Sequence, residues 1–132
     1  MSVFVDTSAL LALLDADDER HADAVSVWKR LQDEEPLLVT SNYVVVETVA
    51  VAQRRLGMES VRAFAREVLP VLDMRYVDAA AHSAALHALL AAGRRNLSLV
   101  DCSSFELMRR EGLRRAYAYD PHFQEEGFVA ET

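Results

Sequence analysis

At 132 residues the chain has room for one domain, and a composition that is 52% hydrophobic and 27% charged excludes a disordered segment. The formal charge of -7 excludes a protein that coats nucleic acid through a general cationic surface. A lone cysteine, Cys102, excludes an internal disulfide and a zinc ribbon, and with neither a signal peptide nor a long apolar span the expected compartment is the cytoplasm, with no membrane association.

Ser2-Val3-Phe4-Val5 is a short apolar run of β-formers and predicts a central strand. Asp6-Thr7-Ser8 then hands the chain to a helix over Ala9 to Leu14 through a polar cap. Ala22, Val25, Trp28 and Leu31 recur at helical spacing within His21 to Leu31, and Pro36 closes that segment. Leu37 to Thr40 reads as a second buried strand, with Ser41-Asn42 capping the next segment. The β-branched run Val44 to Val51 would favour a strand on propensity alone. Its continuation through Ala52 to Arg54-Arg55-Leu56-Gly57 is too long for one, and the final glycine suits a helix end.

A helix is expected over Glu59 to Val68, and Pro70 should separate it from a third strand over Val71 to Val77. Asp78 caps an alanine-rich helix that ends at Gly93, and Ser98-Leu99-Val100-Asp101 has the capping-box spacing for a helix through Met108 to Gly112. Ala116 to Tyr119 is the next strand, ending at Asp120-Pro121, and Gly127-Phe128-Val129 adds an edge strand. Strands alternating with helices predict an α/β domain, a parallel sheet covered on both faces.

Ligands of open α/β sheets gather beyond the carboxyl ends of the strands. Asp6 and Asp120 fall at two such ends, Asp101 lies in the first turn of a helix beginning at the same edge, and Glu47 sits on the second turn of the valine-rich helix. Structural roles are also open to each: Asp6 and Asp120 as simple caps with Pro121 first in its helix, Asp101 as the acidic half of a capping box. Glu47, flanked by valines, would cost several kcal/mol if buried without a partner, so it needs either an arginine or a site. Four clustered carboxylates raise one another's pKa and call for cations. An all-oxygen set points to Mg²⁺ or Mn²⁺, one ion or two, and away from Zn²⁺. Such ions activate water for in-line attack on a phosphodiester.

At these residues the chain resembles the PIN-domain family, in particular the VapC-type toxins of prokaryotic toxin–antitoxin pairs. Val3-Phe4-Val5-Asp6-Thr7-Ser8, Val46-Glu47-Thr48, Leu97 to Phe105 containing Asp101, and Tyr119-Asp120-Pro121-His122-Phe123 with Gly127-Phe128 look like the family's four motifs in order. The resemblance implies a three-layer α/β/α sandwich over residues 1–132 and an Mg²⁺-dependent endoribonuclease. It further implies a homodimer held inactive by a VapB-like antitoxin whose C-terminal segment enters the groove. Asp6, Glu47, Asp101 and Asp120 inherit the catalytic metal-site role, and Thr7 or Ser8 and Ser103 or Ser104 the orientation of ligands or water. Pro121 departs from the family pattern.

Lys29 is the only lysine, so RNA contacts fall to arginine doublets, and Arg94-Arg95 and Arg109-Arg110 are the candidates for a phosphate-gripping rim. His21, His82, His87 and His122 suit exposed or capping roles, with His122 an RNA contact at most. A receiver-like phosphoacceptor fails for want of a late strand-end lysine, and a haloacid-dehalogenase-like phosphatase because Ser8 stands where a second aspartate belongs. The remaining alternative is a PIN-like module that binds RNA or serves structure without cleaving.

Overall fold

β1 (Ser2–Val5) lies at the centre of the sheet, and its side chains show why: Val3, Phe4 and Val5 are all fully buried. Successive strand residues point to opposite faces, so a run buried at every position needs a helical layer on each side. The structure, a computed structural model, describes residues 1–131; Thr132, the last residue of the expected domain, lies outside them. Five parallel strands run in the order β3-β2-β1-β4-β5, with β2 (Leu37–Ser41), β3 (Asp73–Arg75), β4 (Arg115–Tyr117) and β5 (Val129–Ala130). Val3 pairs with Leu38 on one side and Arg115 on the other.

α1 (Thr7–Leu14), α2 (His21–Glu34), α3 (Asn42–Arg55), α4 (Met58–Ala63), α5 (Ala79–Ala92), α6 (Leu99–Glu111) and α7 (His122–Glu125) complete the α/β/α sandwich. Tyr117, paired with Val5, donates from its hydroxyl to the Ala24 carbonyl at 2.6 Å and stacks on Trp28, which places α2 on that face. On the other face Phe4 meets Phe123, and Phe123 meets Phe105 of α6 edge-on with ring centroids 5.0 Å apart. Buried Glu131 joins Arg30 of α2, at 3.0 Å, to Arg115 of β4. The chain lays down β1, β2 and β3 in one direction and then returns to add β4 and β5 on the other side of β1. The crevice between the carboxyl ends of β1 and β4 is therefore the topological switch point.

Three expectations shift. The segment after Gly57 is α-helical only to Ala63, widens into a π-helical turn (Phe64–Val68) and closes through a 3-10 turn (Leu69–Val71). Pro70 lies inside that last turn, whose fixed φ it suits, and β3 is consequently cut to Asp73–Arg75. β4 stops at Tyr117, and beyond it the N–H groups of Tyr119 and Asp120 donate to the Ser8 hydroxyl in place of a strand neighbour. Pro121 stands one residue before α7, at its cap.

Candidate active site

Three of the four candidate acids use one carboxylate oxygen to hold a local turn. Asp6, the first residue beyond β1, caps α1: its Oδ2 accepts from the Ser8 N–H at 3.1 Å and the Ser8 hydroxyl at 2.7 Å. Asp101 Oδ2 accepts from the Ser98 N–H at 3.1 Å while the Ser98 hydroxyl accepts from the Asp101 N–H at 3.0 Å, a complete capping box. Asp120 Oδ1 accepts from the His122 N–H at 2.9 Å. The second oxygen of each aspartate has no protein donor among the described residues. No buried side-chain oxygen there lacks a partner, so these three reach solvent. They do so in one open cavity of about 310 Å³, lined by Asp6, Glu47, Asp101 and Asp120. The capping roles and the site roles are thus compatible, one oxygen for each.

Ser8 sets the spacing of the first and last acids. Its hydroxyl donates to Asp6 and accepts the N–H groups of Tyr119 and Asp120 at 2.9 and 3.2 Å, so both strand exits are tied to one atom. Thr7 performs the matching task for α3: its hydroxyl donates to the Val44 carbonyl at 3.3 Å and accepts from Thr48 at 3.2 Å, one residue from Glu47. Glu47 itself is half-buried and has no arginine partner among the described residues. Its valine neighbours do not enclose it, since α3 turns Val46 to solvent.

Electrostatics set these carboxyls apart. Burial pushes Asp6 from 3.8 up to about 7; the Ser8 hydrogen bonds oppose the rise, and the charges of Asp101 and Glu47 add to it. Burial also raises Glu47, with the charges of Asp101 and Asp120 assisting. Asp101 is raised by burial, opposed by the Ser98 N–H and reinforced by Asp120. Asp6, Glu47 and Asp101 resist ionisation together, and with Asp120 they line one cavity, an all-oxygen set that fits a hard divalent cation.

His122 is a correction to the expected exposed role. It is buried beside the acids, with ligand atoms of Asp101, Asp120 and His122 within 4.8 Å of one another. Both ring nitrogens face acceptors: Nδ1 meets the Glu125 carboxylate at 3.1 Å and Nε2 the Asn96 carbonyl at 3.0 Å. Burial pulls its pKa down, but Glu125, the Asn96 carbonyl, Asp120 and Asp101 outweigh it and the net shift is upward. Through these contacts, and with the Arg94 guanidinium 3.4 Å from Nδ1, the ring ties α7 to the loop before α6.

Ser103 and Ser104 lie off the cavity, both donating to the Val100 carbonyl, at 2.7 and 3.0 Å. None of the candidate arginines lines it either. Arg94 pairs with Glu125 at 3.2 Å, Arg109 with Glu126 at 3.6 Å and over the Phe128 ring, and Arg110 with Glu106 at 2.8 Å, while Arg95 is exposed. Two residues that do line it, Ser98 and Arg55, were not singled out from sequence as site residues. The signal for Arg55 was present in the i, i+4, i+8 spacing of Glu47, Val51 and Arg55 on one helix face.

Comparison with known proteins gives a consistent result. The PIN domain family profile matches residues 3–128. The chain is 38% identical over 128 residues, 96% of its length and 95% of the relative's, to the 23S rRNA-specific endonuclease VapC20 of Mycobacterium tuberculosis. It matches the crystal structure of that protein, described as a sarcin-ricin loop cleaving toxin, with a TM-score of 0.84 over 96% of each chain. The fold alone is shared with FitAcB from Neisseria gonorrhoeae, at TM-score 0.68 and 16% identity, over 100% of this chain and 97% of that one. VapBC2 from Rickettsia felis, solved with a promoter DNA fragment, gives 0.69 and 10% over 99% and 98%.

Proposed function

Because this chain belongs to the PIN-domain family, we propose that it is a metal-dependent endoribonuclease of the VapC type, the toxin of a VapBC-like pair. The observation that carries the reading is the set of three aspartates, each with one oxygen tied back and one free, facing a single cavity with Glu47. Asp6, Glu47, Asp101 and Asp120 would hold Mg²⁺ or Mn²⁺. When bound, such an ion makes a water nucleophilic near neutral pH and offsets the charge building on the phosphodiester.

The chain's own residues supply the rest. Ser8 holds Asp6 and Asp120 in register, Ser98 fixes Asp101, and Thr7 anchors α3 so that Glu47 closes the remaining side. Burial holds the Asp6 pKa up at about 7, so its ionised form, the one that would ligate a cation, would be favoured by the ion it holds. The His122 N–H, on a residue braced by Glu125, holds the Asp120 carboxylate.

The relative's activity makes ribosomal RNA the first substrate to test. Purified protein should cut 23S rRNA with Mg²⁺ and not with chelator. Asp101→Asn, which keeps an oxygen for the Ser98 cap, should lower cleavage by about a hundredfold or more while circular dichroism stays unchanged. Cleavage that survives chelation, or a folded Asp101→Asn variant of full activity, overturns the assignment, and binding without cleavage selects the non-catalytic alternative. A small antitoxin that co-purifies and suppresses cleavage, a second copy of the chain as partner, and a cytoplasmic site of action belong to the same proposal.

A further inference from the structure

The acidic cavity has one cationic wall. Arg55, in the last turn of α3, lines it together with the four acids, and among the described residues it makes no ion pair, neither with Glu47 nor with Asp15 and Asp18, which line the adjoining cleft. Leu11, Val51 and Arg55 line both clefts, so Arg55 stands where the acidic cavity adjoins its neighbour. Helical side chains lean toward the N-terminus of their helix, so Arg55 reaches back over Val51 toward Glu47, whose Cα is roughly 12 Å away along the axis. A guanidinium reaching back from there stands on the wall beside the acids, where the next charged group along a bound chain passes.

We propose that Arg55 is a substrate-binding residue that grips a backbone phosphate of single-stranded RNA adjacent to the one at the acids; the proposal rests on the nuclease reading above. A guanidinium offers two parallel N–H donors to a phosphate, which lets it hold the strand against the repulsion of an acidic protein. Arg94, Arg109 and Arg110, engaged in ion pairs, are poorly placed to do this.

The test measures binding and cleavage separately on the folded full chain. The probe is a fluorescein-labelled single-stranded oligonucleotide, 2′-deoxy throughout for binding in Ca²⁺ and ribo for cleavage in Mg²⁺. Arg55→Gln should weaken binding about tenfold for any sequence. It should also lower the steepness of the salt dependence by about 0.7, the contribution of one phosphate contact on a single strand. Arg55→Lys should recover part of the affinity. Arg54→Gln, the exposed neighbour that lines neither cleft, should match wild type in both readouts. A purely structural role, such as balancing Asp15 and Asp18, would alter thermal stability and leave the salt slope as it was.

Wild-type affinity and slope in a folded Arg55→Gln variant overturn the proposal, as does equal loss in Arg54→Gln. A wild-type protein that binds with the expected Arg55 dependence and does not cleave overturns the nuclease reading and supports the clamp. A wild type that neither binds nor cleaves overturns both.

Discussion

Burial holds the Asp6 carboxyl at a pKa of about 7 in the metal-free protein, against 3.8 in a solvated chain. A carboxyl raised in this way is protonated more readily in the folded state. Its contribution to stability is complete below the unfolded value and is lost as pH rises through the folded one. Chelated protein should therefore lose on the order of a few kcal/mol between about pH 4 and about pH 7, and Asp6→Asn should flatten that slope. Mg²⁺ acts in the opposite sense, since it binds the ionised site. The gain in melting temperature on adding Mg²⁺ should grow across the same window. Melting curves with and without chelator at several pH values decide it, and a gain that is the same at both ends shows that Asp6 is already ionised in the free protein. Sequence alone could nominate Asp6, Asp101 and Asp120, because strand ends and capping boxes are local patterns. It could not place His122, whose burial depends on Asn96 and Glu125 closing over it from other segments.

At the level of elements, α3 was legible because its length outweighed its β-branched composition, and α5 and α6 because Asp78, Ser98, Gly93 and Gly112 mark their ends. The turn from Phe64 to Val71 was not, since no local residue pattern announces a π-helical widening; Phe64 and Val68 are both buried there, a tertiary demand. The end of β4 was hidden for a related reason, as the hydroxyl that accepts the N–H groups beyond it sits on α1. α2 ends on a left-handed residue that is not glycine: Glu35 has φ 54° and its N–H reaches the Leu31 carbonyl. Side chains pay for that conformation by roughly 1–2 kcal/mol, partly offset in glycine by the entropy it loses on folding. Glu35→Gly should raise stability by about 0.5–1 kcal/mol in urea unfolding without touching cleavage. An unchanged or lower midpoint would show that the strain is relieved elsewhere.

On the scale of the whole molecule, one surface stands out for its apolarity. Val46 of α3 and Leu90 of α5 are 68% and 69% exposed, and Leu86 and His82 continue the α5 stripe into a groove walled by Tyr43, Leu99 and Val100. The groove shares Glu47 with the acidic cavity, so two copies meeting there would set their pockets side by side. Sedimentation should find a dimer that Leu90→Asp converts to monomer; a wild type that is monomeric at micromolar concentration removes this interface. The strand order has a further consequence, for the timing of synthesis. β1 and Asp6 are made first, while β4 and Asp120 come near the end of the element order yet must slot in beside them. A nascent chain can fold β1, α1 and β2 early, but until β4 arrives the Ser8 hydroxyl has no Tyr119 or Asp120 to hold and the cavity lacks its last acid. On the proposed nuclease reading the crossover works as an interlock: a prematurely terminated chain carries three of the acids but cannot close the cavity around them.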